Sequence, residues 1–182
     1  MGRWSYMILT GKGSKTIALI TAYRPCSNSP RSAGDKPVYM QQFPTLLGHA
    51  TPTKSTSTPD PHRQFILDIQ AWISHLQEQE HSIILCLDSN ENLNSMDNGC
   101  YDPLEYNNGS FIQLATHSGT VSSMVTMCGL IDTLAYLHPP PYPSTYAYSK
   151  NRLDCIFISR DLAPSTSHAT GGLRRYSAVC AI

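Results

Sequence analysis

SIILCLDSNENL, residues 82–93, is the stretch on which the reading of this chain turns. From Ile83 to Leu87 the run is apolar, interrupted only by Cys86, and it has the length of a fully buried strand. It then passes directly into Asp88, Asn90 and Glu91. A polar turn accounts for such an ending, because Asp, Ser and Asn satisfy local backbone groups. A ligand site accounts for it too, because α/β sheets bind ligands outside the carboxyl ends of their strands. On these residues alone both readings stay open.

Working outward, two further β-like runs open the chain, WSYMIL over 4–9 and TIALITAY over 16–23. Between them TGKGSK carries the glycine and lysine of a hairpin turn, so the two runs should pair antiparallel. The clearest helix precedes the central strand, from about Asp60 to Gln79. There Phe65, Ile66, Ile69, Trp72, Ile73 and Leu76 recur at helical spacing. Asp60 followed by Pro61 supplies an N-cap and a first-turn proline. A second helix fits Thr120 to Cys128, closed by Gly129. TYAY and RLDCIFIS, separated by Ser149-Lys150-Asn151, read as another hairpin. From Cys26 to Pro61 the chain is crowded with Pro, Ser, Thr and Gly, and only VYMQQFPTLL suggests a short helix. Hairpin-linked strands with helices able to cover a sheet indicate a mixed α/β (α+β) fold: a two-layer mixed β-sandwich flanked by helices.

Composition narrows the function classes. At 182 residues the chain is most simply one domain, large enough to bury roughly 70% of the surface of its unfolded form. Thirteen Lys and Arg balance thirteen Asp and Glu, so no global field steers the protein onto nucleic acid or an anionic membrane. Any such contact must come from a local patch. The six cysteines form no C-x-x-C pair, and several lie in apolar runs where a free thiol acts as a small hydrophobe. That usage favours a reducing compartment. MGRWSYMILTGKG is too short and too polar for a signal peptide or a membrane span, so the expected location is intracellular, nuclear or cytoplasmic, with no membrane partner.

Three spots now stand out: Tyr23-Arg24-Pro25 after one strand, Asp88-Ser89-Asn90 after another, and Arg152-Leu153-Asp154 at the start of a third. In order and context they resemble the endonuclease/exonuclease/phosphatase superfamily, the deoxyribonuclease-I-like metal-dependent phosphoesterases. ITAYRP is similar to that family's strand ending in tyrosine-x-proline, CLDSNEN to its G-D-F-N strand end, and STYAYSKNRLDCIFIS to its final hairpin. The spacing is most similar to the branch associated with retrotransposons and other mobile elements. Leu87 and Ser89 stand where the family has glycine and phenylalanine, and Tyr146 where it has tryptophan.

The resemblance implies roles. The aspartate matching Asp88 orients or deprotonates the attacking water, which calls for a carboxylate on a rigid strand end. Asn90 would donate an amide hydrogen bond to the scissile phosphate, and Tyr23 would be a second donor. Asp154 would hold a catalytic histidine in its working tautomer. That histidine belongs to an S-D-H motif, and this sequence has no Asp-His pair. Nor is there a Glu before Glu78 or an Asp before Asp35 to match the family's upstream metal ligand. The expectation is therefore a single partial domain over 1–182, incomplete at its N- and C-terminal ends. The Mg²⁺ (or Mn²⁺) expected for the family would have Asp88 as its one candidate ligand. Arg24, Lys150 and Arg152, with Arg174 and Arg175, would form a basic rim suited to a nucleic-acid backbone, DNA ahead of RNA, or else are scattered solubilising charge. Two functions follow: an endonuclease-like phosphodiester hydrolase, inactive or weakly active as this fragment and not separated by these residues from a phosphatase of small molecules, or a non-catalytic remnant that binds phosphate or nucleic acid.

Overall fold

The computed structural model describes residues 3–25, 38, 41–42, 45–46, 60–90, 93, 120–145, 151–166, 168–170 and 179–181. β1 (Trp4–Thr10) and β2 (Thr16–Tyr23) form the antiparallel hairpin read from the sequence, in register from Trp4↔Ala22 to Thr10↔Thr16. Gly13, in the turn, takes φ +77°, a left-handed conformation that glycine adopts without steric cost. β2 runs parallel to β3 (Ser82–Asp88), and β3 antiparallel to β5 (Asp154–Ser159), which also pairs with β4 (Leu130–Asp132). The result is a mixed sheet of order β1-β2-β3-β5-β4. A separate antiparallel pair, β6 (His168–Thr170) and β7 (Val179–Ala181), lies beyond it in the chain.

Helices cover one face of the sheet. α1 (Pro61–Glu78) begins where Asp60 Oδ1 accepts the His62 N–H at 2.9 Å, with Pro61 in the first turn. Its stripe of Phe65, Ile66, Ile69, Ile73 and Leu76 packs on Ala18 and Ile20 of β2, Ile83, Leu85 and Leu87 of β3, and Phe157 of β5. α2 (Val121–Met127) starts in a capping box between Thr120 and Ser123 and adds Val121, Met124 and Val125 to that core. Gln77 Nε2 donates to the Cys128 carbonyl at 2.8 Å and ties the two helices together. α3 (Thr133–Leu137) follows β4 without a break, capped by Asp132. Trp4 and Tyr6 of β1 meet Phe65 and Trp72 of α1 edge-to-face, with ring centroids 6.1 and 5.1 Å apart.

On the opposite face a smaller apolar cluster joins Ile84, Ile131, Ile158 and Ala163. Alternation along each strand separates the two faces, so Ile84, Cys86 and Asp88 share this second one. β1 forms an edge of the sheet and leaves Tyr6, Met7, Ile8 and Leu9 exposed. Burial pushes the Cys128 thiol up to about 12 and the Cys155 thiol well above its usual range, in keeping with cysteines that act as small core residues. No helix among the described residues is long and apolar enough to cross a membrane. Most of residues 26–59, all of 146–150 including Lys150, and the segment with Arg174 and Arg175 lie outside the described residues.

Candidate active site

Strand register brings the first three candidates into line. Tyr23, the last residue of β2, stands opposite Asp88, the last of β3, and Asp88 stands opposite Asp154, the first of β5. Directly opposed residues share a face. The three therefore form one transverse row at the carboxyl ends of two parallel strands, on the face away from α1. Arg3 places its guanidinium 5.6 Å from the Tyr23 ring centroid, a cation–π contact at the end of the row.

The loop after β3 is bound tightly to what surrounds it. Asp88 accepts the Asn90 N–H on Oδ1 at 3.3 Å, and its carbonyl accepts the Arg24 N–H at 2.9 Å. Ser89 is fully buried, and both its N–H and its hydroxyl donate to the Leu153 carbonyl, at 2.8 and 2.7 Å. Asn90 sits at φ +46°, a left-handed conformation that asparagine tolerates better than most residues. Its side-chain amide donates to the Arg24 carbonyl at 2.6 Å, while Arg24 Nη1 reaches the Ser89 carbonyl at 3.3 Å. The Tyr23-Arg24 and Asp88-Asn90 strand ends thus brace each other.

The rim expected of Arg24, Lys150 and Arg152 divides. Arg24 is at the site, where it braces Ser89. Arg152 is only 2% exposed, its guanidinium paired with Asp132 and set 5.1 Å from the Tyr142 ring centroid. Its charge is spent inside the protein, so its position departs from a phosphate-facing rim. Asp132, 4% exposed, also accepts the Leu134 and Ala135 N–H groups at the start of α3. The sequence assigns no role to Asp132, Ser89 or Thr145; the last accepts the Leu153 and Asp154 N–H groups on its hydroxyl at 2.9 and 3.0 Å. The one usable signal for Asp132 is its place between an apolar pair and a helical run, an N-cap pattern.

Desolvation raises the Asp88 carboxyl above its ordinary value of 3.8; the Asn90 N–H opposes the shift and the Asp154 carboxylate reinforces it. Asp154→Asn should therefore bring the Asp88 pKa down, as followed by carboxyl-carbon NMR across a pH titration. An unchanged Asp88 titration would mean that the two carboxylates do not sense each other. Mg²⁺ is commonly held by one or two carboxylates together with waters and substrate phosphate. Among the described residues no three His, Cys, Asp or Glu side chains come together, and Asp88 with Asp154 supplies two carboxylates.

The five-stranded mixed sheet and its helical cover are a mixed α/β fold that matches solved structures of the deoxyribonuclease-I-like kind. Among solved structures the chain is similar to a 3'-5' exonuclease, NExo, from Neisseria meningitidis, with a TM-score of 0.50 and 18% identity over 96% of this chain and 62% of that one. It is similar also to the 3' phosphatase NExo from Neisseria bound to a product DNA hairpin, with a TM-score of 0.50 and 17% identity over 96% of this chain and 62% of that one. At these identities the likeness is one of fold. The chain spans 62% of the length of these structures. No protein-family model and no curated relative matches it.

Proposed function

We propose that the row Tyr23–Asp88–Asp154 is the centre of a phosphodiester hydrolase acting on nucleic acid, DNA ahead of RNA, of the endonuclease kind that the mobile-element branch carries. The observation that carries this reading is the alignment of the three residues across three strands, beside a loop in which Asn90 is fixed. DNA is favoured because the similar Neisseria 3' phosphatase is bound to a DNA hairpin.

In this reading Asp88 is the general base. Its raised carboxyl lies closer to neutral pH than an ordinary aspartate, which improves proton abstraction. The water oxygen bonds to phosphorus as the P–O bond to the leaving group breaks; the water's proton passes to Asp88, and the departing oxygen takes one from solvent. Tyr23 donates its hydroxyl to a phosphate oxygen. Asn90 has two amide N–H groups, and with one on the Arg24 carbonyl the other is directed to phosphate. Burial keeps Asp88 basic, and the like charge of Asp154 adds to it. Mg²⁺ or Mn²⁺ is the cation the resemblance brings, and Asp88 is the one candidate to hold it, where it would stabilise charge on the phosphate.

Supercoiled plasmid and an RNA of matched sequence test the reading. With Mg²⁺ the chain should convert plasmid to nicked circle only slowly, as a weakly active fragment, cut RNA more slowly still, and lose both activities in excess EDTA. Binding without cleavage in either Mg²⁺ or Mn²⁺ would return the non-catalytic, nucleic-acid-binding alternative. Neither binding nor cleavage would end both.

A further inference from the structure

We infer that Ser89 is a positioning residue, whose buried hydroxyl pins the loop carrying Asp88 and Asn90 to the strand carrying Asp154. The inference deepens the hydrolase reading and rests on it for its consequence in catalysis. Its geometry stands separately.

Ser89 continues the β3–β5 ladder one step beyond Asp88↔Asp154, where it meets Leu153. A backbone N–H alone would make that last rung. Here the hydroxyl makes a second bond to the same carbonyl, at 2.7 Å, from a side chain with no solvent exposure. One carbonyl, a single residue before Asp154, thus receives both donors of the residue between Asp88 and Asn90. Water cannot replace the hydroxyl at a site closed to solvent, so the second bond holds only while this side chain is present.

The next residue explains why a second bond matters. Asn90 leaves the strand in a left-handed conformation, which asparagine tolerates but does not require, so its surroundings must select it. Three contacts do so: the Asn90 N–H on Asp88, the Asn90 amide on the Arg24 carbonyl, and Arg24 Nη1 on the Ser89 carbonyl. The last of them ends on Ser89 itself, and the first spans it, from Asn90 to Asp88. The far end of the pin is fixed as well. Leu153 and Asp154 give their N–H groups to Thr145, the Arg152 carbonyl accepts the Leu93 N–H at 3.0 Å, and the Arg152 side chain is buried against Asp132 and Tyr142. Ser89 is therefore the joint between the loop that carries Asn90 and a fixed strand. In the motif that CLDSNEN resembles, this position is phenylalanine, which has no hydroxyl with which to make this bond.

The test compares the full chain with Ser89→Ala and Ser89→Thr, reading plasmid nicking at saturating DNA and the NMR signals of the Asn90 side-chain amide. Ser89→Ala should lower kcat about tenfold with KM unchanged within about twofold, since one hydrogen bond's worth of positioning is lost at the reacting centre. It should also shift or broaden the Asn90 amide signals, while a cooperative thermal transition shows that the fold is kept. Ser89→Thr, which retains the hydroxyl, should recover kcat to within about threefold and restore the signals. Unmoved Asn90 signals in Ser89→Ala would overturn the inference whatever the activity. If the wild-type chain cuts nothing, the hydrolase reading falls, and the amide signals still decide the positioning role.

Discussion

Asp88→Asn is expected to slow phosphodiester cleavage by about 10²–10⁴-fold, the usual contribution of a positioned acid–base group, and at the same time to make the protein more stable at neutral pH. The two effects share one cause. Desolvation and the facing Asp154 carboxylate raise the folded-state pKa of Asp88 above its ordinary value of 3.8, so the folded protein holds this proton more firmly than the unfolded chain does. Between the two pKa values the folded state binds more protons, and stability falls as pH rises through that window. Above the folded-state pKa the loss is complete and constant; below the unfolded value it is absent. Asparagine keeps the shape and can still accept the Asn90 N–H on Oδ1, but it carries no charge. The stability gain of Asp88→Asn should therefore be absent in strong acid, grow through the window, and level off above it. Urea unfolding at a series of pH values, set beside nicking rates, checks both parts. A variant that loses activity but is no more stable at neutral pH would mean that the carboxylate is adequately solvated, and that its basicity has another source.

That trade between stability and reactivity was partly legible in the sequence. An apolar run that ends in Asp-Ser-Asn announces a strand delivering polar groups, and β3 spans Ser82–Asp88 accordingly. α1 was legible because six apolar residues at helical spacing leave only one face to bury, and Asp60-Pro61 marks where it begins. The hairpin of β1 and β2 was legible from its turn. Once these strands exist, register follows from a buried face, since a slip by one residue would turn Ala18, Ile20, Ile83 and Leu85 out of the core. Tyr23 and Asp88 then come abreast.

Long-range pairings of single polar residues were not legible. Nothing local distinguishes Ser89 as a turn residue in solvent from Ser89 as a fully buried donor; the difference lies in a carbonyl 64 positions away. Asn90 suggested a phosphate donor, but half of its donor capacity is committed to Arg24, which depends on a backbone angle that the residue type permits without requiring. Arg152 misled most. Arginine is seldom fully buried unless paired, so a sequence offers it first as surface charge. Its partner, Asp132, lies 20 residues earlier in a segment that reads as a strand end and a helix cap.

Arg152→Met is accordingly expected to destabilise the protein by about 3–5 kcal/mol, as is usual when one member of a buried ion pair is removed and the other left behind. Against a typical total of roughly 5–15 kcal/mol, that is enough to lower the thermal midpoint by roughly 6–20 °C at this chain length. The partner change separates charge from capping. Asp132→Asn keeps an oxygen for the Leu134 and Ala135 N–H groups, and asparagine caps helices as well as aspartate does, yet it leaves the Arg152 guanidinium buried against the Tyr142 ring without its paired carboxylate. It should therefore cost nearly as much as Arg152→Met, although α3 keeps its cap. Combining the two changes should recover much of the loss, because no unpaired charge then remains inside, and the coupling in this double-mutant cycle measures the pair itself. Additive losses would show that the two side chains act through separate contacts. A loss under about 1 kcal/mol in Asp132→Asn, within the range of exposed pairs, would mean that the guanidinium reaches water. The Arg152 backbone that receives Leu93, and the Leu153 carbonyl that receives Ser89, would then need another anchor.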